Sequence, residues 1–358
     1  MLVTLRRPKV NSLIRNTAPM ISLRKRAIHP WGLQDLDPQV RTRNHQGIEV
    51  RCYVKGCQEW LRPPNRTFLG DACPVHHIRC HVTGKKGTYS YRDHRRNLIV
   101  AQEVFQEQII GHPFKYETHR FGYERSEDAL SWNVFRSLYE QKKLAHAVAA
   151  LTGEEHPEEP QMYLWGIAMS DFHAWTLLEE ARKIIESNLP VERPLTEPDI
   201  ALHLPGKYLI LIEAKFTSAN TFYEKGPRKD ARSLTQDELL AIYQFQESRS
   251  VNMKAAVGAR RIPQQLWRNM VFAEKMAMQD SGSTKAYHIN LVREEAEMGI
   301  EEEFRALLTQ EYQPRFRRVT WEGLVHSTCN SSNQLDLRYY FHNKTAGLAA
   351  AFRHTSIE

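Results

Sequence analysis

Two acidic residues and a lysine meet at one end of a predicted β-hairpin. The segments DIALHL and YLILIEAKF have strand-like sequences, and Pro205-Gly206-Lys207 between them supplies turn residues. With Gly206 at the centre of the turn, counting outward along both strands places Asp199 opposite Glu213. Strand alternation puts Lys215 on the same face, whereas the other face is apolar and consists of Ile200, Leu202, Ile210, Ile212 and Phe216.

This arrangement of charges needs a counter-ion. Like charges directly opposite each other on a sheet are destabilising, because their side chains are only about 5 Å apart. A hard divalent cation between Asp199 and Glu213 would remove the repulsion, and Mg²⁺ prefers carboxylate oxygens together with substrate phosphates. Lys215 is placed to hold the attacking water or to stabilise developing negative charge. The predicted chemistry is hydrolysis of a phosphodiester assisted by Mg²⁺ or Mn²⁺.

The same residues resemble the signature of the PD-(D/E)xK nucleases, a superfamily that includes many restriction and repair nucleases. The match consists of Pro198-Asp199 and of Glu213-Ala214-Lys215 at the end of an apolar strand, and the resemblance extends over residues 120–249. It implies a restriction-endonuclease-like core, which is a mixed sheet flanked by helices, with both acids as metal ligands and the lysine as a catalytic residue. The alternative is a surface hairpin that carries an ordinary ion cluster.

The resemblance also implicates residues on the helices before and after the hairpin. Ser126 is suited to cap the first helix, and Glu127 lies on the same stripe as the apolar residues that follow it. Glu127 therefore corresponds to a glutamate that joins the metal site in related nucleases, with Glu124 as the competing choice. Acids in a first turn also simply stabilise the helix dipole. A helix predicted over residues 235–250 presents Gln244 as a further site residue.

Four of the five cysteines cluster within 29 residues, which indicates a metal site. Cys52 and Cys57 form one pair, and Cys73 and His76 form a second pair about fifteen residues further on, as tetrahedral Zn²⁺ requires. We predict these four residues as ligands, and the alternative candidates for the last positions are His77, Cys80 and His81. Four protein ligands leave no open position, so the zinc is structural. The other interpretation is a group of buried thiols beside solvated histidines.

The net charge of +7 is concentrated in the amino-terminal part of the chain. Residues 1–28 contain seven Lys or Arg and no acid, and the remaining 42 basic and 42 acidic residues balance. Residues 51–96 contain ten basic and three acidic residues, with Tyr89 and Tyr91 among them, a mixture suited to phosphate contact and to stacking on bases or sugars. DNA is the predicted partner and RNA remains open. A solvated basic face is the plainer interpretation.

Three segments are predicted along the chain. They are a basic arm over residues 1–48, a zinc-binding module over residues 49–96, and an α/β nuclease-like domain with a carboxyl-terminal helical extension over residues 97–358. The arm resembles a mitochondrial transit peptide, but a phosphate-contacting arm or a sequence upstream of a start at Met20 is favoured. No apolar run approaches the length of about 18 residues that a membrane span needs. We expect a cytoplasmic protein, and a homo-oligomer is compatible with the sequence.

Together these features predict a metal-dependent deoxyribonuclease that acts in prokaryotic defence or DNA repair. The chain has no P-loop and no Gly-x-Ser-x-Gly elbow, so nothing in it indicates an ATP-driven motor. Two alternatives stay open. One is a non-catalytic, zinc-containing nucleic-acid-binding protein on a degenerate nuclease scaffold, and the other is a ribonuclease.

Overall fold

The fold is described from a computed structural model of the 358-residue chain. The described residues are 30, 42–43, 49–52, 54–62, 70–83, 86–115, 118–189, 195–224, 234–245, 247–329 and 335–351. The basic arm predicted over residues 1–48 therefore lies almost entirely outside the described residues.

Thirteen strands form within the described part of the chain. They are β1 Thr42–Arg43, β2 Glu49–Arg51, β3 Trp60–Leu61, β4 Ile78–Thr83, β5 Lys86–Tyr91, β6 Gln161–Leu164, β7 Ile167–Ala168, β8 Ile200–Leu204, β9 Tyr208–Ala214, β10 Phe222–Glu224, β11 Arg261–Pro263, β12 Lys285–Val292 and β13 Phe316–Thr320.

Ten α-helices accompany these strands in the same residues. They are α1 Gln102–Val104, which continues as a π-helical turn over Phe105–Ile109, α2 Glu127–Glu140, α3 Leu144–Thr152, α4 Thr176–Ile185, α5 Gln236–Ile242, α6 Met253–Gly258, α7 Gln264–Asp280, α8 Ile300–Arg305, α9 Trp321–Thr328 and α10 Leu335–Ala351. None of the helices in the described residues is both long and apolar enough to cross a membrane.

A six-stranded mixed sheet is the centre of the molecule, with strand order β13-β12-β9-β8-β6-β7. Strands β13, β12 and β9 run parallel to one another, whereas β9, β8, β6 and β7 pair in antiparallel fashion. Helices α7 and α9 connect or follow the parallel strands, which cannot be joined by a tight turn. The predicted α/β class, a mixed sheet with helices beside it, is confirmed.

The predicted hairpin is the β8–β9 pair at the middle of this sheet. Its register places Ile200 opposite Ile212 and Leu204 opposite Tyr208, as counting from the turn predicts. Gly206 has a φ of +73°, a left-handed conformation that glycine adopts without steric cost. The main-chain N–H of Gly206 also donates to the carboxylate of Asp280 over 2.8 Å, which ties the turn to the end of α7.

Both faces of the hairpin are buried. Ile200, Ile210 and Ile212 pack into a core that includes residues of α2, α3, α9 and α10. Ala201 and Leu211, on the opposite face, pack into a second core with residues of α4 and α7. The hairpin is therefore an interior element, which is incompatible with the alternative of a surface hairpin.

The amino-terminal module is built from short antiparallel strands. β4 and β5 form a two-stranded ribbon, and β1, β2 and β3 form a small separate sheet. The Tyr89 hydroxyl on β5 donates to the main-chain oxygen of Arg51 on β2 over 2.9 Å. The ribbon also contacts the larger sheet domain, because the N–H of Glu124 donates to the oxygen of Tyr89 over 2.8 Å.

The carboxyl-terminal helix α10 closes the junction between the module and the rest of the chain. Lys344 is fully buried, and its ammonium donates to the side-chain oxygen of Asn97 over 2.7 Å and lies 3.2 Å from a carboxylate oxygen of Glu124. The other Glu124 oxygen accepts the hydroxyl proton of Tyr91 on the ribbon. Burial lowers the pKa of Lys344 to about 8, while the Glu124 carboxylate opposes that shift.

Two helical segments are short. The first, α1, begins only at Gln102, because α2 binds the preceding backbone: the Asn133 side chain accepts from the N–H of Ile99 and donates to the oxygen of Asn97. The helix expected over residues 235–250 is α5, which ends at Ile242. The segment MYLWGIAM forms most of the tight hairpin β6–β7.

A buried histidine on β12 makes stability depend on pH. His288 is fully buried and its Nδ1 hydrogen-bonds the main-chain oxygen of Leu211 over 3.0 Å. Burial lowers the pKa of His288 from 6.5 to about 4, so the unfolded chain binds this proton more tightly than the folded chain. Stability is therefore lost as the pH falls from 6.5 towards 4, by about 2 kcal/mol at about pH 5.

We expect urea unfolding at about pH 7 and about pH 5 to show this loss in the wild type and a smaller loss in His288→Phe. Phenylalanine is the appropriate replacement because the imidazole packs against the rings of Phe304 and Phe316. An identical pH dependence in the two proteins would rule out His288 as its source.

Candidate active site and metal centre

Asp199 lies one residue before β8 and is fixed against the end of β9. Its Oδ2 accepts the N–H of Ala214 over 2.8 Å, and its main-chain oxygen accepts the N–H of Trp165 over 3.2 Å. Continuing the β8–β9 register by one residue places Asp199 opposite Glu213. The side chain remains partly accessible to solvent. The predicted pairing of the two acids is thus supported by the backbone geometry.

Glu213 and Lys215 form a buried ion pair at the end of β9. Their exposed fractions are 2% and 6%, and the Lys215 ammonium donates to Oε1 of Glu213. The second carboxylate oxygen of Glu213 accepts a hydrogen bond of 2.8 Å from Asn269 of α7. Both oxygens of Glu213 are therefore bound, and the carboxylate has one orientation.

The electrostatics of this group show an excess of negative charge. Burial and the Glu213 carboxylate hold the pKa of Asp199 well above its usual value, and the nearby Lys215 ammonium only partly offsets them. Burial would lower the pKa of Lys215, but the carboxylates of Glu213 and Asp199 outweigh it and raise that pKa above its ordinary value. Lys215 is therefore a permanent cation. A further positive charge would favour the ionised form of Asp199.

Glu127 begins helix α2, and its carboxylate contacts the segment that follows Lys215. Its Oε1 accepts the main-chain N–H of Phe216 over 2.9 Å and the hydroxyl proton of Ser218 over 2.7 Å. The N–H groups of Thr217 and Ser218 are 3.4 and 3.2 Å from the same oxygen. Ser126 caps this helix through the N–H of Ala129, as predicted. The competing candidate, Glu124, is bound elsewhere by Lys344 and Tyr91.

The segment after Lys215 is held from a second side by β12. Asn290 lies beside Glu213 in the parallel β9–β12 register and is fully buried. Its side-chain oxygen accepts from Asn220 over 3.1 Å, and its amide donates to Glu297 over 2.8 Å. Asn220 also donates to Glu297 over 2.8 Å. These contacts and those of Glu127 fix both ends of residues 216–220.

Gln244 does not lie on a helix, so the prediction that it belongs to a helix over residues 235–250 is wrong. It follows the end of α5 at Ile242 and is exposed. The helix ends here because the neighbouring Tyr243 is buried and its hydroxyl donates to Glu186 over 2.8 Å, a contact across the fold.

Two residues near the acids were not predicted. Asn269 lies on the apolar stripe of α7 with Leu266 and Ala273, and a polar residue on such a stripe is a signal that the sequence does contain. Lys115 is buried over the ring of Trp165 and lies 3.1 Å from Asp128, a neighbour of Asp199. No sequence spacing connects Lys115 to the hairpin, because the contact is made only by the fold.

The donor set at the acids fits a divalent cation that takes two protein carboxylates. Among the described residues, only the cysteine-histidine cluster brings three or more Cys, His, Asp or Glu side chains close enough to share an ion. Glu127 therefore does not form a three-carboxylate ligand set with Asp199 and Glu213. Mg²⁺ usually takes one or two carboxylates and completes its shell with waters and substrate phosphates. Asp199 and Glu213 meet that requirement.

The predicted zinc ligands come together in the amino-terminal module. The ligand atoms of Cys52, Cys57, Cys73 and His76 all lie within 4.8 Å of one another. The two sulfurs of Cys57 and Cys73 are 3.8 Å apart, and Nδ1 of His76 is 3.5 and 3.4 Å from the sulfurs of Cys52 and Cys73. Tetrahedral zinc with ordinary bond lengths separates its ligand atoms by roughly 3.5 to 3.8 Å. The cluster therefore has the size of a zinc site.

Three neighbouring buried thiols can ionise only if a cation compensates their negative charge. Burial raises the pKa of the Cys52 thiol, and the adjacent thiols of Cys73 and Cys57 raise it further. A bound metal would supply the positive charge that thiolates need. Of the alternative ligands, His77 is exposed and outside the cluster, and the side chains of Cys80 and His81 lie outside the described part of the chain.

The central mixed sheet carries acidic residues at the ends of two adjacent strands. The chain belongs to the family described as Restriction Endonuclease associating with ARP, whose model matches residues 79–344. That match contains Asp199, Glu213 and Lys215, whereas the four cysteine and histidine ligands precede it. No curated protein and no solved structure gives a match to this chain.

Proposed function

We propose that this protein is a Mg²⁺-dependent nuclease of the PD-(D/E)xK type that hydrolyses phosphodiester bonds in DNA. The observation that carries the proposal is the group of Asp199, Glu213 and Lys215 at one end of the β8–β9 hairpin. Membership in a restriction-endonuclease family supports it, because the chemistry inferred from these residues agrees with the family description.

Each residue of the group has a distinct proposed role. Asp199 and Glu213 would hold Mg²⁺ or Mn²⁺, and the bound ion would polarise the phosphodiester. During hydrolysis a water oxygen bonds to phosphorus, the bond to the leaving oxygen breaks, the water loses a proton and the leaving oxygen gains one. Lys215 would orient the water and stabilise charge on the phosphate as a cation, because its raised pKa makes it a poor base.

The roles of Glu127 and Gln244 are more distant from the reaction. Glu127 binds the backbone of residues 216–218 through Oε1, so we propose that it positions the end of β9, and Oε2 is the oxygen that a role as a third metal ligand would use. Gln244 is exposed, and its proposed role is contact with substrate. Alanine at either position tests these roles, with the larger effect expected for Glu127.

The cysteine-histidine cluster is proposed to hold a structural Zn²⁺. All four positions of a tetrahedral ion would be filled by protein, which leaves none for water or substrate. We propose that residues 49–96 form this zinc module and residues 97–358 the nuclease domain, and that both contact DNA in prokaryotic defence or DNA repair in the cytoplasm. The family description names ARP, so a protein partner of that kind is a further proposal.

A cleavage assay tests the proposed activity directly. Supercoiled, linear and single-stranded DNA and an RNA of the same sequence are incubated with Mg²⁺, with Mn²⁺ or with no added divalent metal. We expect strand cleavage of DNA only when a divalent metal is added. Binding without cleavage under every condition would favour the non-catalytic alternative, and cleavage of RNA alone would favour a ribonuclease.

Asn269 provides a test of how Glu213 is positioned. Asn269→Ala removes the donor to Oε2 of Glu213, so we expect cleavage to fall by about 10- to 100-fold while DNA binding is retained. Asn269→Gln, which keeps an amide, should recover part of the activity. Cleavage rates and thermal unfolding are measured together, and full activity in the alanine variant would show that this hydrogen bond does not contribute.

A further inference from the structure

A cavity of about 580 Å³ lies against the β4–β5 ribbon of the zinc module. It is lined by Ala72, His77, Arg79, Ser90, Tyr91 and Arg92, none of which belongs to the acid-lysine group. This volume is within the range of pockets that enclose a small ligand, which is roughly 300 to 1,000 Å³, and it is far larger than a single anion needs.

The ribbon register places Arg79 and Ser90 of the cavity opposite each other. The N–H of Arg92 donates to the oxygen of His77 at the end of the ribbon. Arg79 and Ser90 therefore lie on the same side of the ribbon, and His77 and Arg92, which immediately flank the two strands, line the same cavity. The pair between them, Ile78 and Tyr91, is buried.

The cavity carries positive charge from Arg79 and Arg92. Among the described residues, no carboxylate forms an ion pair with Arg79 or Arg92. Asp71 is near Arg79, but its carboxylate is bound by the guanidinium of Arg62, with distances of 2.8 and 3.3 Å. Arg92 is exposed and Arg79 is half-buried. Two guanidinium groups that line one cavity are suited to an anionic ligand.

We propose that this cavity binds one nucleotide of the DNA strand, with the phosphate held between Arg79 and Arg92. A guanidinium binds phosphate oxygens through two parallel hydrogen bonds, and the His77 ring and Ser90 hydroxyl add donors in the same cavity. The remaining volume accepts the sugar and base. The choice of DNA as the polymer rests on the proposed nuclease function, whereas the phosphate chemistry follows from the cavity itself.

The cysteine-histidine cluster holds this cavity in shape. The N–H of Cys73 donates to the oxygen of Ile78 over 2.7 Å, and the N–H of His77 donates to the oxygen of Cys73 over 2.8 Å. These bonds connect a metal ligand to the start of β4, where Arg79 lies. The structural metal would therefore position a nucleotide contact, and its removal should weaken DNA binding as well as destabilise the module.

The test measures binding without cleavage. Fluorescence anisotropy of a labelled DNA single strand and duplex, with no added Mg²⁺ or Mn²⁺, compares the wild type with Arg79→Gln/Arg92→Gln. The control is Lys254→Gln/Arg260→Gln, which removes the same charge from exposed residues at α6. In the Arg79→Gln/Arg92→Gln variant we expect the Kd for DNA to rise about tenfold or more. The slope of log Kd against log salt concentration should become smaller by about 1 to 2.

Three outcomes would overturn the proposal. They are unchanged Kd in the Arg79 and Arg92 variant, an equal loss in the control, and inorganic phosphate that competes as well as a mononucleotide. Zinc content and thermal unfolding establish that each variant is folded. The proposed nuclease function fails separately: if Mg²⁺ never produces cleavage but arginine-dependent binding of DNA persists, the cavity stands and the catalytic proposal does not.

Discussion

Replacing Lys215 with alanine is expected to lower Mg²⁺-dependent DNA cleavage by about a hundred- to a thousandfold, the effect typical of losing a preorganised group that stabilises transition-state charge. Lys215 is the cation paired with Glu213, and its raised pKa keeps it charged at neutral pH. Initial rates of plasmid nicking measure the change. DNA binding should be affected much less, because the ammonium is 6% exposed and surrounded by carboxylates.

A loss of stability must be separated from a loss of catalysis in this experiment. Lys215→Ala leaves Glu213 buried without its partner, and an unpaired buried charge costs about 3 to 5 kcal/mol. The double variant Glu213→Gln/Lys215→Met has no such charge and should be inactive but folded. Lys207→Ala is the matched lysine control, since Lys207 lies at the opposite, exposed end of the same hairpin. Wild-type cleavage by the double variant would eliminate the mechanism.

Replacing Cys73 with serine is expected to abolish zinc binding and to unfold the amino-terminal module. The sulfur of Cys73 is 3.8 Å from the sulfur of Cys57 and 3.4 Å from Nδ1 of His76. The apparent free energy of Zn²⁺ binding at a structural site is about 10 to 16 kcal/mol, and it contributes directly to folding. A small module has few other interactions that could compensate for its loss. Element analysis of the purified protein and a lower midpoint of thermal unfolding measure the two effects.

Cys329→Ser is the matched control for this substitution. Cys329 is buried in the core beneath α9 and is not a member of the cluster, so its replacement should leave the zinc content unchanged. Zinc retained at the wild-type level in Cys73→Ser would show that another residue, such as Cys80, is the ligand. Both variants are compared at the same protein concentration and after the same dialysis.

The features that could be predicted from the sequence are those set by local spacing. The register of β8 and β9 follows from a two-residue period and from a glycine that tolerates a positive φ at the turn. The proximity of Cys73 and His76 follows in the same way, because a turn with two intervening residues brings the two side chains together, here to 3.4 Å. Neither inference needs information from distant parts of the chain.

The features that could not be predicted depend on partners far away in the sequence. Helix α5 stops at Ile242, short of the predicted end at residue 250, because the next residue, Tyr243, is buried and its hydroxyl donates to Glu186, 57 residues away in the sequence. Glu127 was expected at the acids as a metal ligand, yet its oxygen is occupied by backbone groups about 90 residues further along the chain. The sequence patterns around the end of α5 and the start of α2 do not predict these long-range contacts.

The position of Lys344 has a consequence for biosynthesis. Among the described residues, the buried ammonium that contacts both Asn97 and Glu124 belongs to Lys344 of helix α10. The residues of the ribbon and of the central sheet precede Lys344 in the chain, so this contact can form only after Lys344 has been synthesised. The bond between the N–H of Glu124 and the oxygen of Tyr89, in contrast, needs no residue of α10.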